Sequence, residues 1–131
     1  MPFTHDLEVR FRDLDALGHV NNAVLLSYLE VARFHWWKQH LAGRPFQEEG
    51  FLLARIEVDY RRPILMEDRV RVELRCARVG ASSFDLAYRI LRAQDGGLLA
   101  EARSVQVMVD FATERSTPLK DATRAWLEGQ P

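Results

Sequence analysis

Residues 22–40 make a helical stretch that is bulky and apolar on almost every side, through Val24, Leu25, Leu26, Tyr28, Leu29, Val31, Ala32, Phe34, Trp36 and Trp37. The polar residues left over, Ser27, Glu30, Arg33 and Lys38, form only a narrow stripe. A helix laid on a protein surface keeps a broad polar face, so one without it has to be enclosed by other elements. Gly43 and Pro45 end it. The rest of the chain must therefore fold around one long apolar helix.

What remains reads mostly as strand. Residues 7–11 alternate apolar and charged positions ahead of a polar loop over residues 13–21. Beyond the helix, residues 51–62 alternate until Pro63, and residues 69–79 show the cleanest period of two in the chain. Residues 84–93 place Phe84, Leu86, Tyr88 and Ile90 on one face, and Asp95-Gly96-Gly97 is a hairpin signal. Residues 98–111 form the last strand, with Val105, Val107, Val109 and Phe111 on one face and Ala102, Ser104, Gln106 and Met108 on the other. Residues 119–128 suit a short terminal helix. Strands joined by short connections imply an antiparallel sheet, and one helix beside it gives an α+β fold. A curved five-stranded sheet wrapped around the helix is the expected architecture. Its outer face and open edges are liabilities that self-association would relieve, so a homo-oligomer, dimer or tetramer, is expected.

At 131 residues the chain is read as a single domain, 1–131, large enough for a core without disulfides or structural metal. Its 18 basic and 19 acidic side chains nearly balance, which argues against a nucleic-acid partner bound by bulk charge. Cys76 is the lone cysteine and is most simply a packed core thiol. His5, His35 and His40 lack metal-ligand spacing with acidic or cysteine neighbours, so neither a metal nor another cofactor is expected. The amino terminus does not read as a signal peptide, and no stretch is apolar enough to span a membrane. A cytoplasmic protein is the simplest account.

The loop into the long helix carries the chemistry. Asp15 stands in it, followed by Gly18 and His19, and Asn21 and Asn22 open the helix. Unpaired N–H groups and the positive end of the helix dipole are suited to a developing oxyanion, and a nearby carboxylate can attack or activate water. Asn21 and Asn22 are also good N-cap residues. Gly18 has a geometric part, supplying a conformation or close approach that bulkier residues do not allow. His19 either orients Asp15 or the carbonyl through its imidazole, or holds the turn. Asp13 reads as a structural loop acid.

The motif Asp15-x-x-Gly18-His19-Val20-Asn21-Asn22 resembles that of the hotdog-fold thioesterases, in the branch of hydroxybenzoyl-CoA thioesterase and the small bacterial acyl-CoA thioesterases. Tyr28-Leu29-Glu30-x-Ala32-Arg33, Tyr60-x-x-Pro63, Asp68, Gly80-x-x-Ser83, Asp95-Gly96 and Ala102 follow in the order of that family's pattern. The resemblance implies a hotdog fold and hydrolysis of acyl-CoA thioesters. It implies Asp15 as the catalytic carboxylate, nucleophile or general base, and the N–H of Asn22 or its neighbour as the group polarising the carbonyl. It also implies a homo-oligomer with active sites at a subunit interface. Some relatives place a histidine at the position of Asn22. The plant acyl-carrier-protein thioesterases have an asparagine where this chain has Leu17, and that network is not carried over.

Other residues have two readings. Ser83 either faces the pocket or a CoA group, or bonds within its loop. Arg61 and Arg62, and also Arg89 or Arg92, are candidates for CoA phosphates or members of a solvated strand face. Glu30, three residues before Arg33, is expected to pair with it. Tyr28, Trp36 and Trp37 are core or acyl-pocket lining. The alternatives to a thioesterase are a hotdog dehydratase or hydratase, acting on acyl thioesters without cleaving them, and a non-catalytic acyl-CoA-binding protein on the same scaffold.

Overall fold

The computed structural model describes residues 1–131. Strand β1 (Phe3–Glu8) leads through a 3-10 turn (Phe11–Asp13) into helix α1 (Asn22–Leu41). A second 3-10 turn (Phe46–Glu48) precedes β2 (Gly50–Tyr60), β3 (Arg69–Val79), β4 (Ser83–Arg92) and β5 (Leu98–Asp110). The two-residue β6 (Arg115–Ser116) and helix α2 (Asp121–Glu128) complete the chain. The five long strands form one antiparallel sheet in the order β1-β3-β4-β5-β2, with β6 attached to β5. This is the expected α+β arrangement, with β6 as a small addition.

Two expectations need correction. The first strand is Phe3–Glu8 rather than residues 7–11. Phe3, His5 and Leu7 alternate half-buried with exposed neighbours and pair with β3, a pattern hidden by the polar side chains between them. The strand cannot run on, because the Asp13 carboxylate takes the Arg10 N–H at 2.9 Å and closes the 3-10 turn. Secondly, the short connection from β2 to β3 does not make these strands neighbours in the sheet. β2 pairs with β5, and β3 with β1 and β4, so residues 61–68 cross over between opposite sides of the sheet. That crossing is tied to the loop before α1, with Val20 N–H donating to the Ile64 carbonyl at 2.8 Å and a bridge between His19 and Leu65.

Helix α1 starts where the Asn21 side chain accepts the Ala23 N–H at 2.8 Å. It ends as Ala42 and Gly43 turn left-handed, at φ 50° and 92°. Its inner side is fully buried through Leu25, Leu29, Ala32, Trp36 and Trp37. The indoles of Trp36 and Trp37 pack on Phe84, and Trp37 also meets Phe51 edge-on. The two tryptophans are therefore core residues, as is Tyr28. Cys76 packs half-buried against the core at a bulge in β3.

One chain does not enclose the helix completely. Leu26, Val31 and Phe34 remain exposed along one stripe of α1. The expected Glu30–Arg33 pair is absent as well. Arg33 turns inward and donates to the Tyr88 hydroxyl at 3.0 Å. On β5 it is the more polar face, with Ser104, Gln106 and Met108, that is buried against the helix. A chain of hydrogen bonds explains this: Tyr88 meets Ser104 at 2.5 Å, and Ser104 accepts from Gln106 at 2.7 Å. Buried polar groups of this kind are tolerated when each finds a partner.

Candidate active site

The loop before α1 is a tight turn closed by its own carboxylate. Asp15 N–H donates to the His19 carbonyl at 2.7 Å, and Gly18 N–H donates to the Asp15 carbonyl at 3.0 Å. Gly18 stands at φ 78°, a conformation that disfavours side chains, which accounts for glycine there. Oδ1 of Asp15 accepts the N–H groups of Leu17 at 2.9 Å and His19 at 3.2 Å. Oδ2 has no partner. Asp15 thus fills a turn-forming role with one oxygen and leaves the other unengaged.

Asp15 opens onto a cleft of about 260 Å³. His19 and Asn22 line it beside Asp15, and the crossing segment and β2 end contribute Tyr60, Arg61, Arg62 and Ile64. Its apolar wall includes Val20, Leu25, Leu99 and Ala100. The Asn22 N–H is one of the donors that a helix start leaves unpaired, and no loop or side-chain group satisfies it. A carboxylate oxygen and a helix-terminal N–H therefore border the same space.

Of the expected site residues, the structure brings Asp15, His19, Asn22, Arg61 and Arg62 to this cleft. It is the backbone N–H of His19, and not its imidazole, that touches Asp15. Asn21 caps the helix beside the cleft without lining it, and Gly18 shapes the turn. Ser83 is elsewhere. It begins β4, seven residues from Ile90, whose partner Ala100 lines the cleft, and it accepts a hydrogen bond from Arg78 at 2.9 Å. The two arginines differ. Arg61 is held by Glu101 at 3.0 Å, whereas Arg62 has no ion pair and its guanidinium is free to meet an anion.

Sequence reasoning assigned no role to Tyr60, although Tyr60-x-x-Pro63 was part of the family pattern. Its hydroxyl donates to the Asn22 carbonyl at 2.9 Å and so fixes the first turn of α1 against the end of β2. Burial raises the pKa of this phenol, which keeps it protonated as a donor. Asp13 proves to be the loop's anchor. It is buried and accepts from the Tyr28 hydroxyl at 2.6 Å and from both the backbone and guanidinium of Arg10. Burial alone would raise its pKa, but those hydrogen bonds win and hold the carboxyl below its ordinary value. Its carbonyl also accepts the Asn21 N–H at 2.9 Å, so the anchor fixes the helix start as well.

Residues 9–127 match the thioesterase-like superfamily. This chain belongs to that family. A thioesterase from Thermus thermophilus, solved with coenzyme A and zinc, is 40% identical, with a TM-score of 0.85 over 96% of this chain and 97% of that one. The long-chain acyl-CoA thioesterase FadM of Escherichia coli is 28% identical across 93% of this chain and 94% of its own length. A 1,4-dihydroxy-2-naphthoyl-CoA hydrolase of Synechococcus elongatus is 26% identical across 92% of this chain and 90% of its own. In this member of the superfamily no group of three or more His, Cys, Asp or Glu side chains is placed to hold a metal ion.

Proposed function

We propose that this protein hydrolyses acyl-CoA thioesters to the free acid and CoA, with Asp15 as the reacting carboxylate and the Asn22 N–H as the oxyanion donor. One observation carries the reading: Asp15, with one oxygen unengaged, and Asn22, with its N–H unpartnered, line a single cleft. The thioester seats its carbonyl oxygen toward the Asn22 N–H, and the helix dipole adds to the stabilisation of the charge that develops there. Two routes use the same Oδ2. In one, it attacks the carbonyl carbon, the C–S bond breaks, CoA leaves as thiolate, and water hydrolyses the resulting mixed anhydride. In the other, it takes a proton from water as that water attacks, and the same C–S bond breaks. His19 lines the same cleft, while Gly18 and Asn21 act through the shape of the loop.

Arg62 is the cation we assign to a CoA phosphate, because Arg61 is already committed to Glu101. The apolar lining of the cleft suits a hydrocarbon or aromatic acyl group, as do the substrates in the names of the two curated relatives. We further propose a homo-oligomer, acting in the cytoplasm. The free edge of β2 carries exposed Leu52 and Leu53 next to the exposed stripe of α1, and such a surface calls for a partner. No helix is long and apolar enough to cross a membrane.

The test is release of free thiol from a panel of short, long and aromatic acyl-CoA esters. Turnover of at least one ester is expected. Saturable binding of esters with no thiol released over long incubation contradicts the proposal and favours a binding protein.

A further inference from the structure

Three successive residues at the entry to α1 are each tied to a different part of the chain. Val20 N–H donates to the Ile64 carbonyl at 2.8 Å, and Asn21 N–H donates to the Asp13 carbonyl at 2.9 Å. The Asn22 carbonyl accepts the Tyr60 hydroxyl at 2.9 Å. The amides that follow are taken as well, since the Asn21 side chain accepts from Ala23 and the Asn21 carbonyl from Val24 and Leu25. Within residues 20–25 only the Asn22 N–H is left without a partner, and it stands in the middle of these ties.

Two of the three ties join backbone to backbone. The third is made by a side chain, and packing does not explain it. Tyr60 is 47% exposed and takes no part in the hydrophobic core. Its own backbone is firmly held: it pairs with Ala100 of β5, and the next two N–H groups, of Arg61 and Arg62, donate to the Leu99 carbonyl at 2.9 and 3.0 Å. The phenol thus runs from a fixed point on the sheet to the helix start, along the wall of the cleft that Asp15 and Asn22 share.

We propose that Tyr60 is a positioning residue for hydrolysis, whose hydroxyl holds the Asn22 carbonyl so that the N–H of the same residue stays aimed at the thioester oxygen. This rests on the oxyanion role given to Asn22 above. A donor stabilises a developing oxyanion fully only when its direction is set in advance. The ties on the Asn21 N–H and the Asn22 carbonyl flank the donor on both sides and limit backbone rotation between them. Without the Tyr60 hydroxyl, the second flank is left to a helix terminus, where helices fray. The tether touches Asn22 and not the reacting atoms, so its loss weakens an interaction made in the transition state and lowers kcat rather than raising KM. Every acyl thioester presents the same carbonyl, so the loss is independent of the acyl group.

The experiment uses Tyr60→Phe, which keeps the ring and removes the tether. Thiol release from short, long and aromatic acyl-CoA esters should show kcat lowered about tenfold, a partial loss beside that of removing an oxyanion donor outright. KM should stay at the wild-type value, and the factor in kcat should be the same for every ester that the wild type turns over. Amide hydrogen exchange should quicken in the first turn of α1, with the rest of α1 and the denaturant midpoint unchanged. A KM that rises for some acyl groups while kcat holds makes Tyr60 a wall of the acyl pocket and overturns the positioning role. A loss of kcat accompanied by a lower denaturant midpoint and faster exchange throughout α1 is general loosening, and overturns it too. Equal kcat in the two proteins overturns the positioning role alone and leaves hydrolysis through Asp15 standing. A wild type that releases thiol from no ester overturns the hydrolysis reading itself, and the role of Tyr60 with it.

Discussion

One carboxylate oxygen separates Asp15 from an ordinary turn aspartate. The bland role, closing the turn through Leu17 and His19 N–H groups, is present in full on Oδ1, and the unengaged Oδ2 is what the proposed chemistry uses. The motif of residues 15–22 made this position legible, because a helix start and its preceding acid lie next to each other in sequence. The anchor beneath it was not legible, since Asp13 and Tyr28 are brought together only by the way the loop folds back on α1. Tyr28→Phe should cost about 1–3 kcal/mol in chemical denaturation, the range for stranding a buried hydrogen-bonding partner. Turnover should fall as the loop loosens. The anchor also has a pH signature. A carboxyl whose folded pKa lies below its unfolded value stabilises the fold above the unfolded value, about pH 4, and that stability is lost as pH falls through the lowered folded value. Asp13→Asn should therefore lower stability near neutrality and lose less on acidification than the wild type, as read by denaturant midpoints across pH 2–7.

Helix ends and edges show where patterning was sufficient and where it was not. The period-two runs gave β3, β4 and β5 to within one residue at each end, because those strands have a buried and a solvated side. Strand order was not encoded in those runs. The crossing from β2 to β3 follows from loop contacts among Val20, His19, Ile64 and Leu65, which alternation does not register. The end of α1 was legible through Gly43, but the left-handed residue before it is Ala42. Ala42→Gly should stabilise the protein by about 0.5–1 kcal/mol by removing the side-chain penalty of that conformation, seen as a rise in Tm. Helix α2 is held by a buried cluster that sequence reading passed over. Glu49 meets His40 at 3.0 Å and Arg44 at 3.2 Å and also accepts from the Thr123 hydroxyl. Burial would raise the Glu49 pKa, but hydrogen bonds from Thr123 and His40 with the His40 charge hold it below its usual value. Thr123→Val should cost about 1–3 kcal/mol and speed amide exchange selectively in α2.

At the scale of the whole molecule, the long apolar helix that dominates the sequence is only partly enclosed by its own sheet. Leu26, Val31 and Phe34 stay exposed, and so do Leu52 and Leu53 on the neighbouring edge strand. The hydrophobic pattern of α1 thus records two burials, one inside the chain and one that we assign to a second copy. The first was legible as a fold. Hydrolysis itself is proposed to depend on the Asp15 carboxylate. Its most direct test is the rate of CoA release by wild type and by Asp15→Asn, at matched oligomeric state and unchanged circular dichroism. A fall in kcat of about a hundredfold or more is expected, the scale for losing a catalytic base or nucleophile. Equal turnover by the folded, assembled variant would contradict it.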